Sequence, residues 1–130
     1  MIQKRHTGAL ALTLMLLFAG KALAEGEPEK IGAFDDWVAY SYKAADSKVC
    51  YVSASPAQSE PKNAKRDPAF FLVTNMPGRK PPVKGEVSTI IGYPFKKDST
   101  AELKIDDSAF KLFTNGDGAW ADTAATEKKI

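Results

Sequence analysis

Ala101-Glu102-Leu103-Lys104-Ile105, Asp106-Asp107-Ser108, Phe110-Lys111-Leu112-Phe113 and Asn115-Gly116-Asp117-Gly118 are the segments on which the reading of the fold turns. In the first, Leu103 and Ile105 alternate with Glu102, Lys104 and Asp106, the period-two pattern of a strand with one dry face and one wet face. An acidic turn follows, then a second strand signal at Phe110–Phe113. Asn115-Gly116-Asp117-Gly118 is the strongest turn signal in the chain, because Asn and Gly tolerate the positive φ that a tight hairpin demands.

Working outward, the same punctuation recurs at short spacing. Trp37 to Tyr42 alternates, with Val38, Tyr40 and Tyr42 on one face. Lys48 to Ala54 is β-branched and aromatic around Cys50. Ala69 to Met76 holds Phe70-Phe71-Leu72-Val73, apolar on both faces and therefore a candidate central strand. Val87 to Phe95 continues the pattern until Pro94, which lacks a backbone donor and marks a strand end, an edge or a bulge. Two connections rich in Pro and Lys interrupt the strands, Ser55 to Pro68 and Pro77 to Glu86. The pattern predicts an all-β, mostly antiparallel domain, a β-sandwich or open barrel. Asp122, as a cap, followed by good helix formers predicts a short C-terminal helix start.

The N-terminus carries an export signal. Lys4 and Arg5 precede an apolar run from Ala9 to Ala19, and Ala22-Leu23-Ala24 has the small-x-small form that a signal peptidase reads. A run of 11 residues falls short of the roughly 20 that a membrane-spanning helix needs. Cleavage is expected between Ala24 and Glu25, with 25–33 a flexible lead-in and 34–130 a single β-rich domain. Three of the 18 basic residues, Lys4, Arg5 and Lys21, leave with the signal, so 15 face all 16 acidic residues. A mature chain this near neutral argues against nucleic-acid binding, and membrane association is expected to be peripheral at most.

The chain's single His6 also leaves with the signal, and Cys50 is its single cysteine. Ser-His-Asp and Cys-His catalysis need a base of near-neutral pKa and are set aside, as are zinc sites built from His and Cys. Ser–Lys chemistry is not expected either. No metal or other cofactor is expected: the Asn115–Gly118 loop lacks the ladder of acids that calcium requires and reads as a plain turn. An enzyme would have to work through carboxylates, with Asp35-Asp36, Asp106-Asp107 and the Asp117/Asp122 pair as candidates; turn-forming acids are the preferred reading. Cys50, among Val49, Tyr51 and Val52, is expected to be buried. Trp37 and Trp120 are expected to be packing mass rather than sugar platforms. The candidate binding residues are Lys62, Lys65 and Arg66 in one long connection and Arg79, Lys80 and Lys84 in the other. Together they would form a basic patch for an acidic polymer if both connections lie at one end of the sheet.

Several segments carry a family resemblance: Phe34-Asp35-Asp36-Trp37, Lys48-Val49-Cys50, Arg66-Asp67-Pro68, Glu86-Val87-Ser88-Thr89-Ile90-Ile91-Gly92-Tyr93-Pro94-Phe95, Phe110-Lys111-Leu112-Phe113-Thr114 and Gly118-Ala119-Trp120-Ala121. In these the chain resembles the invasion associated locus B family of exported bacterial proteins. The resemblance implies an envelope or surface protein, periplasmic, outer-membrane-associated or secreted in a Gram-negative bacterium, and linked by name to invasion of host cells. It implies a non-catalytic, virulence-associated binding role toward an envelope or host protein or an acidic polymer. A carboxylate-dependent hydrolase of cell-wall or host glycans is the alternative. Family members continue past the equivalent of Ile130 with a helix and further strands, so the resemblance also implies that the closing part of the sheet is missing here. Fractionation of intact cells followed by a blot should show a band of mature size outside the cytoplasm; a precursor-sized band confined to the cytoplasm would overturn the export reading.

Overall fold

A computed structural model describes residues 26–130; the expected signal segment and the expected Ala24–Glu25 cleavage site lie outside the described residues. Eight strands form one antiparallel sheet: β1 (Glu29–Phe34), β2 (Trp37–Lys43), β3 (Lys48–Ala54), β4 (Phe70–Met76), β5 (Val83–Ile90), β6 (Thr100–Ile105), β7 (Ser108–Asn115) and β8 (Gly118–Ala121). Their spatial order is β1-β2-β3-β4-β5-β8-β7-β6, and the sheet is not closed. The all-β architecture expected from the alternation is thus present in its open form.

Local chemistry explains most of the joints. Three hairpins turn on two residues each, and in each the first turn residue has positive φ: Asp35 at 52°, Asp106 at 49° and Gly116 at 60°. Asp and Gly are among the residues that adopt this conformation at least cost. Part of the expected lead-in is strand, because Glu29–Phe34 pairs with β2 along its length, with a register shift between Lys30 and Gly32; that pairing outweighs the weak strand propensity of Glu, Lys and Gly. Likewise, β5 starts four residues before the expected Val87. A register shift between Thr74 and Met76, with Gly85 at φ 66° donating its N–H to Asn75 Oδ1 at 2.9 Å, carries the pairing past polar Lys84 and Glu86. The strand stops at Ile90, so Ile91–Ser99 leaves the sheet.

Parity along the strands divides the side chains between two faces. One face gathers Val87, Leu112, Ala119 and Ala121 into the buried core, with Phe71, Ala101 and Leu103 packed against it. Phe95 joins from the 91–99 connection and Ile130 from the C-terminal tail. The opposite face carries Tyr40 stacked on Tyr51 at 5.2 Å and Phe113 stacked on Trp120 at 5.7 Å. Burial, then the neighbouring Tyr40 and Tyr42 hydroxyls, pushes the Tyr51 hydroxyl above its ordinary pKa. Both tryptophans pack against other aromatic rings, but outside the core cluster. Trp37 is 36% exposed at the β2 end of the sheet, edge-on to Phe71, and Trp120 lies on the face away from the core. Cys50 is half-buried rather than buried, and its register partners, Ser41 and Asn75, are polar.

The C-terminal helix α1 (Ala124–Glu127) is capped by Thr123, whose hydroxyl accepts from the Thr126 N–H at 3.1 Å. Asp122, the expected cap, instead accepts from the Thr126 hydroxyl at 2.9 Å. Burial against β5, with Glu86 nearby, raises the Glu127 carboxyl above its usual range, and the Val87 backbone N–H only partly offsets this.

Leu112 is 1% exposed and its neighbour Phe113 is 52% exposed. Leu112→Ala should therefore cost about 2–5 kcal/mol in urea unfolding. Phe113→Ala should cost clearly less, since it loses mainly one exposed aromatic pair, worth about 0.5–1.5 kcal/mol. Equal losses would overturn the assignment of faces.

Candidate functional site

The six candidate basic residues do not form one patch. Lys62, Lys65 and Arg66 lie in the connection 55–69, which runs into the start of β4, whereas Arg79, Lys80 and Lys84 lie at or just beyond the connection 77–82, which leaves from its end. A seven-residue strand holds the two groups about 20 Å apart. The structure regroups the cations instead. The 91–99 connection leaves the end of β5 that pairs with the start of β4, through Phe70 and Ile90. It brings Lys96 and Lys97 to the same end as Lys62, Lys65 and Arg66. All four lysines are exposed and Arg66 is half-buried.

Backbone contacts build this end. The Asp67 N–H donates to the Gly92 carbonyl at 2.8 Å, tying the two connections together. The Ile91 N–H donates to the Asp117 carbonyl at 3.0 Å and the Phe95 N–H to the Gly116 carbonyl at 2.8 Å, docking 91–95 on the β7–β8 turn. Gly92 has φ 81°, and a Cβ there would collide with the Asp67 backbone. Within 55–69, Arg66 Nη2 donates to the Glu60 carbonyl at 2.9 Å and the Pro61 carbonyl at 3.4 Å. The guanidinium carbon sits 4.9 Å from the centroid of the Tyr93 ring, within the range of a cation–π contact.

Beneath the 55–69 connection lies a cleft of about 320 Å³. Phe70, Phe71, Ile90 and Ile91 supply its apolar lining, and Ser55, Gln58, Ser59 and Arg66 its polar one. The composition, an apolar surface with a few polar groups, is that of a small-ligand site. Arg66 was legible as a candidate from sequence; Tyr93, Gln58 and Ser59 were not. Arg66-Asp67-Pro68 and Gly92-Tyr93-Pro94 touch in space through the Asp67–Gly92 hydrogen bond, a contact that no spacing along the chain signals.

The acids do not assemble. Asp106 and Asp107 turn at the end of the sheet opposite to Asp117, and Asp117 and Asp122 flank the two ends of β8. Asp35-Asp36 and Asp117 share an end but lie five strand spacings apart in the sheet order, about 24 Å along the sheet. Paired carboxylates in glycoside hydrolysis stand about 5–9.5 Å apart. Among the described residues no group of three or more His, Cys, Asp or Glu side chains could hold a metal ion. Sequence reading passed over two Ser-x-x-Lys spacings, Ser59 to Lys62 and Ser108 to Lys111. The first lies in irregular chain and the second in β7, where a three-residue step points to opposite faces. Neither gives the shared face of a helical turn.

No family model matches the chain, and no curated protein or solved structure matches it. What defines the molecule is therefore its open antiparallel sheet and the cationic, cleft-bearing end built by 55–69 and 91–99.

Gly92→Ala should separate this end from the sheet, since it meets both a left-handed backbone and a collision. Its cost in urea unfolding should exceed that of Gly116→Ala, which shares the positive φ but opens onto free space and should cost about 1–2 kcal/mol. Equal costs would mean that the Asp67–Gly92 contact does not constrain the fold.

Proposed function

We propose that this chain is an exported, non-catalytic binding protein of the invasion associated locus B type. It acts at the bacterial envelope or surface by contacting an acidic polymer through the end of the sheet built by 55–69 and 91–99. The observation that supports this reading is the tie between the two connections, the Asp67–Gly92 backbone hydrogen bond. It gathers Lys62, Lys65, Arg66, Lys96 and Lys97 at one end. These connections carry five cations against three carboxylates, Glu60, Asp67 and Asp98. The excess is modest but local, and a local potential governs encounter with a polyanion even when net charge is near zero. Among the described residues no helix is long and apolar enough to cross a membrane.

Reversing Lys62, Lys65, Lys96 and Lys97 to Glu should abolish retention on a heparin column at low salt. Each cation at a polyanionic surface is worth about 1 kcal/mol, and the loss should shrink as salt screens the interaction. Reversing Arg79 and Lys80 at the opposite end should leave retention within error of the parent protein. If both variants elute with the parent, or the parent is not retained, the polymer-binding reading fails.

A further inference from the structure

Arg66 is a charge held in place without a countercharge. Its Nη2 is fixed by two backbone carbonyls and its plane lies near Tyr93, so it spends little conformational freedom on binding a ligand. Backbone carbonyls accept hydrogen bonds but cancel no charge. A guanidinium has five N–H donors; the Nε donor and those of Nη1 have no acceptor among the described residues. Among the described residues the ion pair formed is Lys104 with Glu102, on β6, and none involves Arg66. This half-buried cation lines a cleft to which Phe70, Phe71, Ile90 and Ile91 contribute the apolar lining.

We infer that the cleft binds an organic carboxylate, with the anion on Arg66 and its apolar body against the apolar lining of the cleft. The inference rests on the reading of this end as a binding site and names a second ligand for it, distinct from the polymer. A planar fork of donors matches a carboxylate in two-point contact, which a lysine ammonium does not reproduce. A phosphate dianion or a sulfated sugar would want further cations inside the cleft, and among the described residues Arg66 is the one cationic side chain that lines it. The apolar floor would also waste the surface of a fully polar anion. At about 320 Å³ the cleft is at the small end of ligand sites, suited to a short acyl or aromatic acid or to the last residue of a peptide. Ser55, Gln58 and Ser59 add neutral hydrogen-bonding groups around it.

The two sources share one chemistry and separate in one experiment. Hexanoate, and an acetylated tripeptide ending in Phe with a free carboxyl, are titrated into the mature protein at about 0.15 M salt, where exposed charges beyond about 8 Å are screened. Heat is measured, together with the fluorescence of Trp37, whose ring lies 6.1 Å from Phe71. At least one acid should bind, and its neutral primary amide should bind at least about tenfold more weakly, the loss expected when a charge-assisted contact is removed. Binding by hexanoate alone marks a free acid as ligand, and binding by the peptide alone marks a chain terminus; either supports the site. Arg66→Gln should weaken binding at least about tenfold and Arg66→Lys only part of the way. Because Arg66 also braces its loop, Ala69→Phe provides the independent variant: it narrows the cleft, leaves the guanidinium in place and should also abolish binding. Equal binding of acid and amide, no binding of either acid, or unchanged binding in Ala69→Phe would overturn the inference. Heparin retention that survives this failure would leave the polymer reading standing, and acid binding without heparin retention would leave only the cleft.

Discussion

Three cross-strand pairs, Ser88 with Trp120, Thr89 with Ala119 and Ile90 with Gly118, join the two halves of this sheet. On one side lies the meander β1–β5 and on the other the β6–β7 hairpin, and four-residue β8 is the strand bonded to both. Its residues suit that position. Ala119 and Ala121 face the core and are 0% and 7% exposed, small enough for Val87 and Leu112 to close over them. On the other face Gly118 has no side chain to obstruct the Trp120 ring, which lies over it and stacks with Phe113. A larger residue at Ala119 would force the core side chains apart, since close-packed interiors absorb even a methylene poorly.

The cationic, cleft-bearing end of the molecule depends on the same junction. Because β8 pairs with β5, the β7–β8 turn comes to lie beside the end of β5, where its Gly116 and Asp117 carbonyls receive the N–H groups of Phe95 and Ile91. That docking fixes the 91–99 connection, which in turn holds 55–69 through Asp67 and Gly92. Arg66, Tyr93 and the cleft beneath them are thus assembled by backbone hydrogen bonds across three separate segments. The lysines around them remain solvated and contribute charge without structure, as exposed cations usually do.

Much of the fold was legible because a strand's alternation and a hairpin's turn residues are local. Lys48–Ala54 has the boundaries its β-branched pattern suggests, and the Asn115–Gly118 turn is where positive φ is tolerated. The misses have specific causes. Residues 29–34 and 83–86 are strands made by their partners, with Gly32 and Gly85 obscuring any pattern, and β8 is too short to show a period. The parting of the two basic groups was legible and missed: connections that flank a single strand leave from its opposite ends in any antiparallel sheet. Cys50 was misjudged because apolar character was taken for burial. Burial also needs a covering layer, and among the described residues the core cluster gathers around Val87 and Leu112, with Val49 buried apart from it on β3.

By itself the sequence determined that the domain is all-β, where most strands run, which turns are tight, and that residues 26–130 contain no histidine. These follow from residue type and near-neighbour spacing. The tertiary structure alone decided that β8 inserts beside β5, that Lys96 and Lys97 join Lys62, Lys65 and Arg66, and that Arg66 meets Tyr93 at a cleft. Those depend on pairings between residues some thirty positions apart, and nothing in either segment taken alone encodes the free energy of bringing them together.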